Sequence, residues 1–76
     1  MLTYDQFILP IMEKVATKPK EWRDGQAVFN YTEQLYGSEI ARTVQFNWNI
    51  DCFYDDGRIE PFLKACYQEY KSQNKE

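Results

Sequence analysis

Three stretches of this chain place apolar side chains three and four residues apart, and that period restricts a chain of 76 residues to a mainly helical fold. The first carries Tyr4, Phe7, Ile8, Ile11 and Val15 on one helical face. Thr3 followed by Gln6 makes a capping-box pattern at its start, and Lys18-Pro19-Lys20 is its stop, which predicts a helix over 4–17. Pro10 lies inside that span, lacks an N–H for the Gln6 carbonyl and predicts a kink. The second stretch runs from about Trp22 to Tyr36, with Val28, Phe29, Thr32, Leu35 and Tyr36 as its stripe and Gln26, Asn30 and Glu33 opposite. Gly37 ends it, as the residue best suited to a positive φ after a helix. Ser38 is the expected N-cap of a short third helix, from Glu39 to about Val44. The last stretch sets Ile59, Phe62, Leu63, Cys66, Tyr67 and Tyr70 on a helix capped by Asp55 or Asp56, with Pro61 in its first turn. The tail from Lys71 is polar and is expected to fray.

Residues 44–54 read differently. Val44, Phe46, Trp48, Ile50, Cys52 and Tyr54 alternate with mostly polar neighbours, the period of a half-buried strand. No second strand pattern offers it a partner, so it is either an irregular aromatic loop laid on the helices or an edge that pairs between two copies of the chain. The loop is the favoured reading. The expected fold is therefore all-α: three longer helices and one short one, with an aromatic and acidic loop packed across them, in a single domain spanning 1–76.

Composition sharpens this reading. With 43% hydrophobic and 17% aromatic residues the chain is too apolar to stay disordered. A core this small leaves only about 3–5 kcal/mol of net stability, so the large buried area of each ring matters. The net charge of −3 does not call for a polyanionic partner. The opening MLTYDQF has neither the basic nor the long apolar region of a secretory leader, and no apolar run is long enough for a bilayer span. The expected compartment is the cytoplasm, where Cys52 and Cys66 are buried hydrophobes rather than a disulfide.

Several chemistries fall away. There is no histidine, which removes the commonest general base and zinc ligand together. Cys52 and Cys66 lack the paired spacing of a zinc site, so no metal or cofactor is implied. Asp55-Asp56-Gly57-Arg58-Ile59 looks like the middle of a calcium loop, but that register puts Cys52 first, Tyr54 third and Leu63 twelfth, where oxygen ligands are required. Asp51, Asp55, Asp56 and Glu60 have no neighbouring nucleophile or phosphate cradle, and no catalytic residue is assigned. The chain is read as a non-enzyme.

Two surfaces remain as candidates for binding. Aromatics crowd next to acids in the loop, and since both faces of that segment carry large side chains some must point outward. Phe46, Trp48, Asp51, Phe53, Tyr54 and Asp55 form the expected docking face for a protein partner carrying basic groups. The alternative is a nucleic-acid edge of Lys14, Lys18, Lys20 and Arg23. A helix-turn-helix reading around Gly37 fails on charge, because the segment SEIARTV offers only Arg42 beside Glu39.

Trp22-Arg23-Asp24-Gly25-Gln26-Ala27-Val28-Phe29-Asn30, followed by Ile50-Asp51-Cys52-Phe53-Tyr54-Asp55-Asp56 and then Ile59 with Phe62-Leu63, resembles a pattern of short uncharacterised proteins of bacteria and their phages. Written W-R-x-G-Q-x-x-F-N, then D-x-F-Y-D-D-x-x-I, it covers the central half of the chain; proline is the more familiar residue at the place of Cys52. The resemblance implies a bacterial or phage setting and carries over no catalytic or binding residue. In physical terms, Gly25 permits another backbone to come close to the second helix, and Arg23 is positioned to pair with Asp51 or Asp55.

Overall fold

The computed structural model describes residues 2–73, which form four α-helices with no strand among them. Helix α1, Tyr4–Ala16, begins with the expected reciprocal cap. The Thr3 hydroxyl accepts from the Gln6 N–H at 3.2 Å, and the Gln6 side-chain oxygen accepts from the Thr3 N–H at 2.9 Å. The helix runs unbroken through Pro10. Gln6 is exposed, so water can supply the donor that proline withholds from its carbonyl.

Helix α2, Asp24–Tyr36, buries Gly25, Ala27, Val28, Phe29 and Thr32. The Thr32 hydroxyl is fully enclosed and donates to the Val28 carbonyl at 2.7 Å, which satisfies the one buried polar side chain of the core. Leu35, placed in the apolar stripe on spacing, is among the exposed large side chains instead. Gly37 has φ 97° and ψ 149°, a region that glycine alone enters easily. This turn redirects the chain into α3, Ser38–Asn47. Ser38 is the first helical residue rather than the cap, and Gly37 takes the cap position with no side chain to accept from the helix's first N–H groups.

The third helix is longer than its spacing suggested, and the expected boundary at Val44 is corrected. The apolar period 40, 41, 44 continues, and the apparent alternation at Val44 and Phe46 is two sides of one helix, with Val44 buried and Phe46 outward. Asn49 stops it, with φ 57°, a left-handed conformation that Asn tolerates better than most residues. The Ile50 N–H reaches back to the Val44 carbonyl at 3.2 Å. An irregular loop therefore occupies only 48–55. A 3-10 turn, Asp56–Arg58, leads directly into α4, Ile59–Gln73. Lys71, expected at the start of a frayed tail, lies in that helix with its ammonium 4.9 Å from the Tyr67 ring centroid. Residues 74–76 of that tail lie outside the described residues.

One apolar cluster joins the elements. Phe7 and Ile11 come from α1, Val28 and Phe29 from α2, Ile40 and Val44 from α3, and Phe62, Leu63 and Cys66 from α4. Helix α2 touches each of the other three, whereas α1 packs on α2 and α4. Among the described residues the fold is all-α, with three longer helices and one shorter, and none of these helices is long and apolar enough to cross a membrane.

Candidate functional site

The loop is held in shape by its own acids. Asp51 accepts from the Phe53 N–H at 2.8 Å, an Asx-type turn, and its other oxygen accepts from the Gln45 side-chain amide at 2.9 Å. Asp55 caps the 3-10 turn through the Gly57 N–H at 2.9 Å and lies 3.5 Å from the Arg58 guanidinium. Asp56 reaches across to the Gly25 N–H at 3.0 Å and so caps α2, whose own N-cap residue, Arg23, supplies no side-chain bond. The pair expected between Arg23 and Asp51 or Asp55 is not formed. Arg23 donates instead to the Tyr54 carbonyl at 3.3 Å.

Cys52 is the plug of the loop. It is fully buried, and its thiol donates to the Gly25 carbonyl at 3.3 Å. The close backbone approach expected at Gly25 is made by the Cys52 carbonyl. Both cysteines are free and buried. Burial first, and the Asp51 charge second, push the Cys52 thiol up from 9.0 to about 12. Burial also pushes Cys66 upward, and likewise the Tyr4 and Tyr36 phenols. Both thiols are accordingly protonated and shielded near neutral pH, a poor state for nucleophilic work.

These shifts fix a pH dependence. A folded-state pKa above the unfolded value gives stability that is complete below pH 9.0 and is lost as the pH rises towards 12, because only the unfolded thiols ionise in that window. The unfolding free energy from urea titrations is expected to stay level from about pH 7 to 8.5 and then to fall, by up to about 1.4 kcal/mol per pH unit for each thiol. Replacing Cys52 by Ala should flatten the fall; an equal slope in that variant would contradict the assignment.

The remaining side chains of the expected docking face divide between two places. Phe53 turns inward and meets Phe29 edge to face, with centroids 5.8 Å apart. Phe46 and Tyr54 stay outside, 73% and 76% exposed. Together these rings line an open cleft of about 380 Å³ between α2, α3 and the loop. Its polar lining is Asn30 and Glu33 from α2 with Arg42 and Gln45 from α3. Trp48 is not part of it: 44% exposed, it donates its indole N–H to Glu69 of α4 at 2.9 Å. Asp51 and Asp55 do not line it either. Of the six residues expected to share a docking face, the fold thus gathers Phe46, Phe53 and Tyr54 around one cavity and gives the other three separate positions.

The cleft's polar residues were outside the sequence reading. Asn30 and Glu33 sit opposite the main stripe of α2, and only the docking of α3 makes that side a wall; spacing along one helix carries no such signal. The basic edge is largely committed within the chain. The Lys14 ammonium lies over the Tyr31 ring at 5.7 Å, Lys18 pairs with Asp24 at 3.2 Å, Arg23 holds Tyr54, and Lys20 is exposed. Comparison with protein-family models, curated proteins and solved structures returns no match.

Proposed function

We propose that this chain is a small non-enzymatic protein–protein interaction module that docks through Phe46, Phe53 and Tyr54 around the α2–α3 cleft. The observation that carries this reading is two large rings more than 70% exposed beside a cavity, on a frame whose acids brace it in place. Ordering costs reduce affinity, and a loop already fixed by Asp51, Asp55 and Asp56 has little ordering left to lose on binding. Exposed aromatics bordering a partly apolar hollow are the usual anchors of an interface. Trp48 stands apart from the cleft, tied to Glu69 of α4. The resemblance to short bacterial and phage proteins supports a phage or mobile-element accessory that modulates a partner in the bacterial cytoplasm. The basic edge has less support as a nucleic-acid surface, since three of its four cations have intrachain partners.

The test is capture from bacterial lysate by the immobilised chain. The double variant Phe46→Ala, Tyr54→Ala should keep its helical spectrum and lose the captured partner, because anchors of this kind cost about 2 kcal/mol or more each, roughly 30-fold in affinity. Trp48→Ala should lose less. Retention of the same partner by the double variant at unchanged yield removes this surface from consideration.

A further inference from the structure

The walls of the cleft specify the chemistry of what enters it. Its apolar lining consists of rings: Phe29 and Phe53 meet edge to face, and Tyr54 stands edge-on to Phe53 with centroids 4.8 Å apart. Cations are drawn to the negative faces of such rings. Glu33 lines the same space, with its side chain only 23% exposed, so one carboxylate stands among the aromatics.

Both signs of charge border this cavity, and they differ in how they are held. Asp51 adjoins the cleft through Gln45, and both of its oxygens are held by neutral donors, which satisfy them without cancelling their charge. Arg23 stands behind the same wall, with its guanidinium engaged by the Tyr54 carbonyl at 3.3 Å. The cation lining the cleft is Arg42, whose Nε lies 3.4 Å from Glu33 and whose side chain is 67% exposed. Arg42 reaches Glu33 from the solvent side over a long contact, so an incoming cation can take its place.

We propose that the cleft receives an arginine side chain from a basic segment of a partner protein, its guanidinium lying against the Phe53 and Tyr54 rings and donating to Glu33 in place of Arg42. This rests on the docking reading above and adds the partner's chemistry to it. A planar guanidinium suits the site because it can stack on a ring and still present paired donors to a carboxylate, which an ammonium cannot do. A volume of 380 Å³ lies near the lower end of the range of about 300–1,000 Å³ for ligand clefts, with room for one long side chain and too little for a helix.

The experiment is a titration of the intact, isotope-labelled chain with the blocked peptide Gly-Ser-Arg-Ser-Gly, followed by amide chemical shifts, with citrulline and glutamate peptides in parallel. The arginine peptide should shift Gln45, Phe46, Phe53 and Tyr54 and bind roughly tenfold tighter than its neutral citrulline counterpart, with the margin shrinking as salt is added. Glu33→Gln should weaken binding several-fold. Arg42→Gln should strengthen it by removing the resident competitor. Both are surface changes whose folding the same spectra report. Preference for the glutamate peptide, abolition of binding by Arg42→Gln, equal binding of citrulline, or shifts confined to other residues each overturns the arginine assignment. Lysate capture separates the two levels: capture that still depends on Phe46 and Tyr54 leaves the docking surface standing when the peptide result fails, and independence from both rings overturns both proposals.

Discussion

Gly25→Ala is expected to lower the stability of this chain by about 2–4 kcal/mol, although alanine is the better helix former by about 1 kcal/mol. Propensity loses because of what lies above the residue. A Cβ on Gly25 would run into the Cys52 carbonyl oxygen and press on the Asp56 carboxylate at 2.9 Å. The first obstacle is backbone, which cannot swing aside as a flexible side chain does. To admit the methyl group the loop must lift, and lifting breaks the Cys52 thiol contact and the Asp56 bond to the Gly25 N–H. A charge-assisted bond of that kind contributes about 1.5–3 kcal/mol, and the exposed Cys52 and its neighbours add a hydrophobic loss of similar size. Against a total of about 3–5 kcal/mol for a domain this small, the variant would sit close to unfolding. Urea denaturation measures the loss, and a thiol reagent reads whether Cys52 becomes accessible. A variant as stable as the parent, with Cys52 still protected, would mean that the loop does not rest on α2 as described. Gly57→Ala is the matched control, since its Cβ would meet only the Asp55 side chain.

The same contact joins two separate stretches of the sequence. The W-R-x-G-Q stretch and the D-x-F-Y-D-D stretch are far apart in the chain, yet Gly25 and Arg23 of one touch Cys52, Tyr54 and Asp56 of the other. In this chain those residues have structural roles: a glycine for close approach, an acid to cap the facing helix, an arginine to hold a carbonyl. Gly25 could be read in advance because close approach is a property of the residue itself. Which acid does the tying could not, because Asp51, Asp55 and Asp56 offer the same chemistry and only the path of the loop decides among them.

Elsewhere the helical period carried the fold. Phe7, Ile11, Val28, Phe62 and Cys66 are all buried where spacing put them. Spacing failed at Phe46, where a helix exit imitated a strand, and at Leu35, on the margin of its stripe. Legibility was lowest at the cleft. Its rings were visible as an excess of aromatics, whereas Asn30, Glu33, Arg42 and Gln45 become neighbours only through the packing of α3 on α2. A residue on a solvated face and one on a cleft wall have the same local pattern.

The second large effect is expected at the other end of α2, against Tyr36, where Phe7→Ala should cost about 3–5 kcal/mol and leave little folded chain at room temperature. Phe7 is fully buried and its ring is the hub of a phenol cluster: it stacks on Tyr36 at 4.3 Å and meets Tyr70 and Tyr67 at 5.1 and 5.5 Å. Two of those phenols also fasten the N-terminal segment. Tyr36 donates to the Phe7 carbonyl at 2.7 Å, and Tyr67 donates to the Leu2 carbonyl at 2.8 Å. Removing the ring leaves a cavity that these tyrosines cannot collapse into without giving up their hydroxyl bonds, so the upper part of the range applies. Phe7→Leu, which keeps most of the volume, should cost less than about 1.5 kcal/mol. The cleft itself contains no residue of α1, which makes the outcome informative about cooperativity. If the chain unfolds as one unit, the cleft's amide protection in hydrogen exchange falls with that of α1 by the same free energy. Protection that persists in α2 and α3 while α1 exchanges freely would show instead that the docking surface is supported by a subset of the helices, and that α1 adds stability without shaping the site.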